Sequence, residues 1–262
     1  MKILYISQYF IPEVEPSASK VFELSKEFAG LGHEVTVITG FPNYPSGRLY
    51  SNYRLRLFMR EFLQGIKVIR VFLVPAASGN YARRVAGHIS FMFSALVAGI
   101  FIQRPDVVIC SSPPLEIAVA GWVVSRIKRA KFVFEVRDLW PDDAIQLGIV
   151  KNSILSRALV WFEKFIYRQA DLIVPVSNGF VKHILSSGVK KEKIKVILNG
   201  TDINLFHPRE TKEQFFVKDS FICLYLGTQG LQNNLIPLMD AIKNIEESYV
   251  IYTQKILKIV WK

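Results

Sequence analysis

The residues best suited to chemistry follow an apolar, strand-like run at positions 132–136. Directly after it stand Arg137 and Asp138, ahead of a Leu-Trp-Pro sequence. A carboxylate such as Asp138 can orient a hydroxyl group or accept its proton, and the guanidinium of Arg137 can hold a diphosphate through paired hydrogen bonds. Two structural roles compete with these. Asp138 can cap a helix that has Pro141 in its first turn, and Arg137 can form a surface ion pair.

A second group of candidates lies in the turn at residues 42–45, where Asn43 and Tyr44 stand between two prolines. The prolines make the turn rigid, so these two side chains are held in place to contact a ligand. Ordinary turn chemistry explains the same residues equally well, because asparagine and proline are both favoured in turns.

The motifs of several common enzyme classes are absent from the sequence. No Cys–His cluster, paired acidic motif or lysine-bearing phosphate loop occurs, which disfavours metal-dependent hydrolysis and ATP chemistry. The stretch between the first strand-like run and Gly30 contains no glycine, so the dinucleotide-binding fingerprint is missing there. One weak phosphate-binding signal remains further along, where Gly227 and Gly230 follow the run at 221–226 and precede a helical segment.

Short runs rich in β-branched residues alternate with segments of helical spacing along most of the chain. Continuous apolar runs are typical of strands covered on both faces, and repeated strand–helix–strand units predict an α/β fold with a Rossmann-like, doubly wound parallel sheet. Ligands bind such sheets at the carboxyl ends of the strands, so the candidate residues should meet there. The predicted strands are 3–7, 35–39, 66–74, 106–110, 132–136, 171–176 and 194–198, and the predicted helices are 17–31, 84–103, 115–128, 153–169 and 179–187.

The alternating pattern breaks into polar residues between Asn199 and Ser220, a stretch that contains Pro208 and is typical of an interdomain linker. We therefore predict an N-terminal domain at 1–207, a linker at 208–220 and the start of a second Rossmann-like domain at 221–262. That second part should contain a strand at 221–226 and a helix at 233–245. Residues 246–262 show no clear further strand and are predicted to form an amphipathic tail.

The net charge of +11 is unevenly distributed. Residues 48–84 hold eight basic side chains and one acidic side chain, a net charge of +7, which suits anionic lipid, nucleic acid or a pyrophosphate-bearing ligand. A solvated basic face is the alternative. Residues 85–102 are uncharged apart from His88, and we expect a buried helix of the α/β domain there in preference to a membrane span. The Arg83–Arg84 pair at its start is also able to hold that helix end against a membrane surface. The apolar run after Met1 is too short for a signal peptide, which predicts a cytoplasmic protein.

Several of these segments together resemble the retaining glycosyltransferases of family 4, which have the GT-B fold of two Rossmann-like domains. The resemblance covers residues 1 to about 245 in the family's order, and no single motif is specific by itself. It is greatest to the bacterial branch that builds surface polysaccharides such as lipopolysaccharide, O-antigen and capsule, and that includes fucosamine transferases. The segments that carry it are MKILYISQYF with Pro12-Glu13, GHEVTV at 32–37, GFPNYP at 40–45, RDLWP at 137–141, VSN at 176–178, and NGTD at 199–202 with Phe206.

The resemblance implies transfer of a hexosyl-type sugar from a nucleotide-diphosphate donor to a lipid-linked glycan acceptor, with retention of configuration and with no metal or other cofactor. The N-terminal domain would hold the acceptor, and its basic face would meet the anionic inner face of the cytoplasmic membrane as a peripheral protein. Nucleic acid is not an expected partner. The roles implied are catalysis for Asp138 and Arg137, acceptor binding for Pro12, Glu13, Asn43 and Tyr44, and donor binding for Asn199, Gly227 and Gly230.

The sequence departs from the family pattern at two places. The stretch 13–20 lacks the paired-glycine turn of many relatives, and the two glutamates eight residues apart that hold the nucleotide sugar are missing, since Glu246 and Glu247 are adjacent. Two hypotheses stay open. One is a glycosyltransferase that is incomplete or inactive as this single chain, which a separate chain carrying the rest of the donor domain would complete. The other is a non-catalytic module from a truncated or split gene, binding acceptor or a partner.

Overall fold

A seven-stranded sheet forms the centre of the computed structural model, which describes residues 1–77, 81–203, 221–226, 234–242, 248–252 and 256–261. The strand order is β3-β4-β2-β1-β5-β6-β7, and every pairing is parallel except that of β3 with β4. The mostly parallel, doubly wound sheet predicted from the sequence is therefore confirmed. The strands are β1 (Lys2–Ile6), β2 (Glu34–Gly40), β3 (Phe58–Leu63), β4 (Ile66–Val71), β5 (Val107–Ser112), β6 (Lys131–Val136) and β7 (Leu172–Pro175).

Helices connect the strands, and the first and fifth begin after residues whose side chains satisfy free backbone groups. In the first helix Pro16 takes the opening position, and the Glu15 carboxylate accepts hydrogen bonds from the backbone N–H groups of Ser17 and Ala18. Asn152 caps the fifth helix in the same way. The helices are α1 (Pro16–Gly30), α2 (Tyr81–Phe101), α3 (Ile117–Lys128), α4 (Asp142–Gln146), α5 (Ser153–Gln169) and α6 (Gly179–Ser186).

The sheet buries a separate apolar cluster on each of its two faces. Leu4 and Ile6 of β1 lie in the larger cluster with residues of α2, α3 and α5, whereas Tyr5 lies in the smaller cluster with Val21 of α1. This division follows from the alternation of side chains along a strand. Parallel strands covered on both faces need such continuous apolar sequences.

Helix α2 is an element of this α/β unit. Its Phe91 and Ala95 are buried in the larger cluster, and it packs so closely on α3 that a Cβ atom at Gly99 would lie 2.5 Å from Cγ2 of Val124. A side chain at position 99 would therefore force the two helices apart. The predicted helix at this position is confirmed, with bounds two to three residues earlier, but the expectation that it is buried is wrong, since only 22% of its apolar window is buried.

The structure corrects several sequence predictions. Residues 194–198 form no strand, because Ile194 makes only an isolated bridge to Ile173. The antiparallel strand β3 was missed because it lies at the sheet edge and leaves every second side chain exposed. Gln64 and Gly65, both with positive φ, make the two-residue turn that joins it to β4. Helix α4 was also not predicted.

The chain divides into two compact units, one comprising Met1–Ala144 with Val150–Asn199 and the other Ile145–Ile149 with Gly200–Lys262. The strand predicted at 221–226 is present as β8 (Phe221–Leu226), and it is not part of the seven-stranded sheet. A short helix, α7 (Ile236–Ile242), lies within the predicted helical segment. The predicted linker at 208–220 lies outside the described residues, so the proposed domain boundaries stay a prediction.

The second unit contains a small antiparallel sheet. Its strands are β8, β9 (Ser248–Tyr252) and β10 (Ile256–Trp261), in the order β8-β10-β9. The prediction of an amphipathic tail without strands is therefore wrong for these residues. Antiparallel pairing also differs from the parallel pairing with which a Rossmann-like half begins.

Candidate functional site

The predicted catalytic and acceptor-binding residues follow strands whose carboxyl ends share one edge of the sheet. Because β1, β2, β5, β6 and β7 run parallel, the loops after them emerge at the same edge. This is where open α/β sheets bind ligands. Polar side chains are grouped at this edge, and a further polar cluster joins α4, α5 and α6.

Glu13 holds the loops after β1 and β2 together. Its Oε1 atom accepts hydrogen bonds from the backbone N–H groups of Asn43 and Tyr44, both at 2.9 Å, and Oε2 accepts one from Phe10 at 3.4 Å. The side chain is buried. Burial raises the pKa of Glu13 to about 7, although the three backbone hydrogen bonds and the charge of Arg70 oppose that shift. Glu13 thus orders the two loops, and its carboxylate is turned toward the protein.

Asn43 is buried as well, and both ends of its amide are engaged. Nδ2 donates to the carbonyl of Phe41 at 2.9 Å, and Oδ1 accepts from the N–H of Ala76 at 3.2 Å. Tyr44 is half-buried and packs edge-to-face on Tyr9, with 5.6 Å between the ring centroids. Among the residues predicted to bind acceptor, Tyr44 and the exposed Pro12 therefore present side chains at the surface, while Glu13 and Asn43 support them.

A small polar cavity lies beside this turn. Its volume is about 10 Å³, room for roughly one water molecule. Gln8 lines it, is buried, and has an Oε1 atom without a hydrogen-bond partner among the described residues. Arg84 and His88 of α2 close the other side. Such a cavity suits a hydroxyl group that donates to Gln8.

The cavity is cationic because of Arg84 alone. Burial, with Arg84 next in effect, lowers the pKa of His88 to about 4, so its imidazole is neutral at pH 7. Burial raises the pKa of Tyr9 to about 12, which keeps its phenol protonated. Sequence reasoning missed Gln8 and His88 as site residues and used Arg84 only as a membrane contact. The position of Gln8 directly after the first strand was the available signal.

Arg137 and Asp138 follow β6 as predicted, and they differ in their surroundings. The half-buried Arg137 donates to the carbonyl groups of Ser112 at 3.2 Å and Pro113 at 3.1 Å, which ties the loops after β5 and β6 together. Asp138 is exposed, and no capping hydrogen bond from it is found among the residues the structure describes. Its negative charge adds to burial in raising the pKa of Asp143. Asp138 is therefore accessible to a ligand, and Arg137 is partly committed to the fold.

Glu135, a buried carboxylate that the sequence analysis missed, lies on β6 just before Arg137. Its Oε2 accepts hydrogen bonds from the hydroxyl groups of Tyr5 at 3.0 Å and Ser111 at 2.7 Å. Its Oε1 lies 2.6 Å from Nζ of Lys20, which also donates to Oδ1 of Asn199 at 2.8 Å. The signal in the sequence was an acidic residue inside an otherwise apolar strand.

Of the three residues predicted to bind donor, the structure describes Asn199. Asn199 is exposed apart from its contact with Lys20 at the end of the first unit. Gly227 and Gly230 lie outside the described residues. The structure therefore brings together Glu13, Asn43 and Tyr44, but it does not test the donor-binding roles.

A further polar cluster joins α4, α5 and α6. The ring of His183 lies between two carboxylates, with Nδ1 at 3.2 Å from Asp142 and Nε2 at 3.0 Å from Glu163. Glu163 is fully buried, also accepts from the hydroxyl of Tyr167 at 2.8 Å, and has a pKa raised by burial. The three ligand atoms lie within 4.8 Å of one another, close enough in principle for a metal ion. Both histidine nitrogens are already engaged by carboxylates, which is the arrangement of a hydrogen-bonded network.

The comparisons with known proteins agree with this architecture. The model of the family described as "Glycosyl transferase 4-like domain" matches residues 18–200, which is more than half of the chain. The chain belongs to this family. The match includes Asn43, Tyr44, Arg137, Asp138 and Asn199, and it confirms the resemblance identified from the sequence.

A curated relative and two solved structures are also similar to this glycosyl transferase 4-like chain. The Escherichia coli (strain K12) protein WcaI, whose name assigns it to colanic acid biosynthesis as a glycosyl transferase, is 24% identical over 265 residues. The match covers 96% of this chain and 65% of WcaI, so the chain spans less than two thirds of that relative.

The structures show the fold alone. Sucrose-phosphate synthase from Thermosynechococcus elongatus has a TM-score of 0.57 at 16% identity, covering 79% of this chain and 50% of the synthase. The catalytic domain of starch synthase IV from Arabidopsis thaliana, bound to ADP and acarbose, has a TM-score of 0.52 at 14% identity, covering 78% and 52%. Both likenesses extend over about half of the solved chain.

Proposed function

We propose that the polar loop residues at the carboxyl edge of the large sheet supply the acceptor side of a glycosyltransferase of bacterial surface polysaccharide synthesis. The protein would transfer a hexosyl-type sugar from a nucleotide-diphosphate donor to a lipid-linked glycan acceptor, with retention of configuration and without a metal. The observation that carries the proposal is the gathering of polar loops from β1, β2, β5 and β6 at one sheet edge in a chain of this family. The name of the relative WcaI supports the polysaccharide pathway.

In this proposal Asp138 contacts the acceptor hydroxyl and orients it or accepts its proton, because it is exposed at the carboxyl edge. Arg137 keeps part of its guanidinium for the diphosphate while two of its N–H groups hold the neighbouring loop. Tyr44 and Pro12 form the acceptor-facing surface, which Glu13 and Asn43 hold in shape. Asn199, Gly227 and Gly230 stay assigned to the donor side.

The acceptor's lipid and the basic 48–84 segment support attachment to the inner face of the cytoplasmic membrane. We propose a peripheral protein on that face, since each Lys or Arg near an anionic surface contributes about 1 kcal/mol. Arg70 does not belong to this basic face, because its side chain is only 1% exposed. Without Arg70, the 48–84 segment contains seven basic residues.

We further propose that this chain by itself binds nucleotide sugars weakly and transfers none. A nucleotide diphosphate is commonly held at a helix N-terminus beside parallel strands. The described part of the second unit offers the seven-residue helix α7 and an antiparallel sheet, which do not make such a site. Transfer would then require the remaining donor-binding elements in addition to the residues that the structure describes.

The experiment is calorimetry of the purified chain with a panel of uridine and guanosine diphosphate sugars, followed by a transfer assay on a polyprenyl-diphosphate-linked sugar. We expect no micromolar donor binding and no turnover by the chain alone. In a protein that includes a complete donor domain, Asp138→Asn should lower kcat about 100-fold. The matched control is Asp106→Asn, at the opposite end of the sheet, where the amide oxygen can still accept from the N–H of Lys2.

Three results would contradict the proposals. Micromolar donor binding or turnover by the isolated chain would reject the proposal that it binds nucleotide sugars weakly and transfers none. Equal kcat values for Asp138→Asn and Asp106→Asn would remove Asp138 from the reaction. An inverted anomeric product would exclude retention.

A further inference from the structure

Helix α2 leaves a continuous apolar stripe uncovered. Ile89, Phe93, Val97 and Phe101 recur every four residues, so they share one face of the helix, and all four are exposed. Phe93 is 58% and Phe101 83% exposed. The helix is long and apolar enough to cross a membrane by length and composition, yet only 22% of its apolar window is buried. Its other face packs on the sheet, so the open stripe, and not the whole helix, needs an explanation.

The edge strand β3 continues this apolar surface. Alternation along the strand directs Phe58, Arg60 and Phe62 to the same face, and all three are exposed. Leu57, just before the strand, is exposed too. Large exposed aromatic side chains on neighbouring elements are uncommon on a soluble protein unless they contact something.

Between β3 and α2 lies an open groove of about 1020 Å³. Its apolar lining is formed mainly by the side chains of Leu57, Phe58, Phe72, Phe93, Val97 and Phe101. The groove follows the length of the sheet, since Lys2 at the start of β1 and Val71 at the end of β4 both line it. We refer to the groove together with the exposed stripe of α2 as the α2–β3 face.

The charges around the α2–β3 face are complementary to an anionic surface. Lys2 and Arg60 line the groove, and Arg54 and Arg56 are exposed just before it. The two acids in the lining are already paired. Glu34 lies 2.6 Å from Lys67, and Glu61 lies 3.0 Å from the buried Arg70.

We propose that the α2–β3 face docks on an anionic lipid bilayer and inserts its aromatic side chains into one leaflet. This inference rests on the membrane attachment in the proposed function and goes beyond it, because the contact becomes apolar insertion as well as charge attraction. Basic residues beside aromatic and aliphatic ones are typical of elements that lie in the membrane interface. Phe93, Val97 and Phe101 enter the acyl boundary, and Arg54, Arg56 and Arg60 meet the headgroups.

The same helix connects the docking face with the candidate site. Arg84 in its first turn lines the polar cavity beside Tyr44, and Phe101 ends the helix about 25 Å away at 1.5 Å per residue. A lipid-linked acceptor in the same leaflet would therefore approach the carboxyl edge of the sheet along α2. The geometry relates membrane docking to acceptor delivery through one rigid element.

The first test is sedimentation of the full chain with vesicles of phosphatidylcholine alone or with 30% phosphatidylglycerol. We compare Phe93→Ser/Phe101→Ser with the matched control Ile154→Ser/Leu155→Ser, which removes two exposed apolar side chains from α5. The first variant should bind anionic vesicles at least tenfold more weakly, and the control should bind as the wild type does. Wild-type binding should weaken at 1 M salt without being abolished, because the apolar part of the contact is not screened.

A second measurement distinguishes insertion from adsorption at the surface. An environment-sensitive dye is attached at Phe101→Cys in a Cys223→Ala background, where the remaining Cys110 is buried. Nitroxide-labelled lipids should quench this dye, whereas a dye at Ile154→Cys should stay unquenched. Unfolding transitions of all variants check that they are folded.

Each other outcome overturns the inference in a distinguishable way. Equal vesicle binding by the Phe93→Ser/Phe101→Ser variant and the wild type would reject this docking face while leaving membrane attachment standing. A wild type that ignores anionic vesicles would reject the attachment itself. Transfer to a short-chain, soluble acceptor by a protein that includes a complete donor domain would still test the glycosyltransferase proposal separately. A dimer that is lost in the Phe93→Ser/Phe101→Ser variant, without vesicle binding, would assign the face to self-association.

Discussion

The ammonium group of Lys20 lies 2.6 Å from Oε1 of Glu135, which joins α1 to the carboxyl end of β6. The pair is largely shielded, since the two side chains are 22% and 7% exposed. Lys20 also donates to Asn199, the last residue of the first unit. One ion pair thus relates the first helix, the sheet edge that carries the candidate site, and the segment that leaves the unit.

Replacing Glu135 with glutamine should lower the free energy of unfolding by about 3 kcal/mol, because a shielded lysine loses its charged partner. The hydroxyl groups of Tyr5 and Ser111 can still donate to the amide oxygen, so the loss is electrostatic. Urea denaturation measures it. The control is Glu34→Gln, which removes an exposed pair with Lys67 and should leave the unfolding midpoint unchanged. Identical midpoints for the two variants would show that shielding gives the Glu135 pair no added strength.

Glu13 should make the protein less stable as the pH rises from about 4.5 to about 7. Its folded pKa of about 7 lies above the ordinary value of 4.5 because of burial. Between these values the unfolded chain has released the proton while the folded chain keeps it, so the unfolded state is favoured with increasing pH. One pKa unit corresponds to about 1.4 kcal/mol, which makes the whole effect about 3 kcal/mol.

Glu13→Gln, which cannot ionise, should lack this contribution. Denaturation of the wild type and the variant from pH 4.5 to pH 8 measures the difference in their free energies of unfolding. Groups that titrate in both proteins contribute equally and cancel from this difference. We expect the variant to gain stability relative to the wild type as the pH increases. Parallel pH profiles would show that the carboxyl of Glu13 titrates normally.

Arg70→Lys should destabilise the fold by about 3 kcal/mol, since it breaks a buried charged network. The guanidinium donates to Glu61 at 3.0 Å, to the carbonyl of Gly40 at 3.2 Å and to the carbonyl of Ile11 at 2.7 Å. A lysine ammonium cannot reproduce this planar fork of donors. The control is Arg60→Lys, an exposed position on β3, for which thermal denaturation should show no change. A midpoint for Arg70→Lys equal to that control would contradict the role.

The Asp142–His183–Glu163 cluster should act as a hydrogen-bonded network without a metal. We expect chelators and added zinc to leave the melting temperature of the wild type unchanged. His183→Ala should lower the free energy of unfolding by about 2 kcal/mol, because Glu163 is buried and loses a partner. Zinc that raised the melting temperature of the wild type but not of His183→Ala would instead establish a metal centre.

Much of the fold followed from local patterns. Six of the seven strands of the large sheet and its long helices were predicted, because apolar periodicity and terminal residues act within a few positions of each other. The edge strand β3 escaped since half of its side chains face solvent. Residues 194–198 were overpredicted since their isolated bridge and two backbone hydrogen bonds to β7 do not make a continuous ladder. The strands after residue 247 were missed for a similar reason, because β10 forms only by pairing with β8 and β9.

Several residues of the candidate site were predicted from the sequence, but the structural role of each residue was not. Glu13, Asn43 and Tyr44 were all named from the sequence, and the structure shows that Glu13 is bonded to the backbone of the other two. Buried Glu135 and the cavity residue Gln8 were not named. Their partners lie on distant segments, which no local pattern reveals.

The sequence by itself determined the fold class, the family and the sheet edge at which the candidate residues lie, because these depend on patterns written along neighbouring residues. Only the tertiary structure decided which charges are buried and which apolar side chains are exposed. Arg70 belonged to a basic segment and proved to be internal, while Phe93 and Phe101 belonged to an apolar segment and proved to face outward. Burial depends on what the rest of the chain places beside a residue, and that is settled only when distant elements pack together.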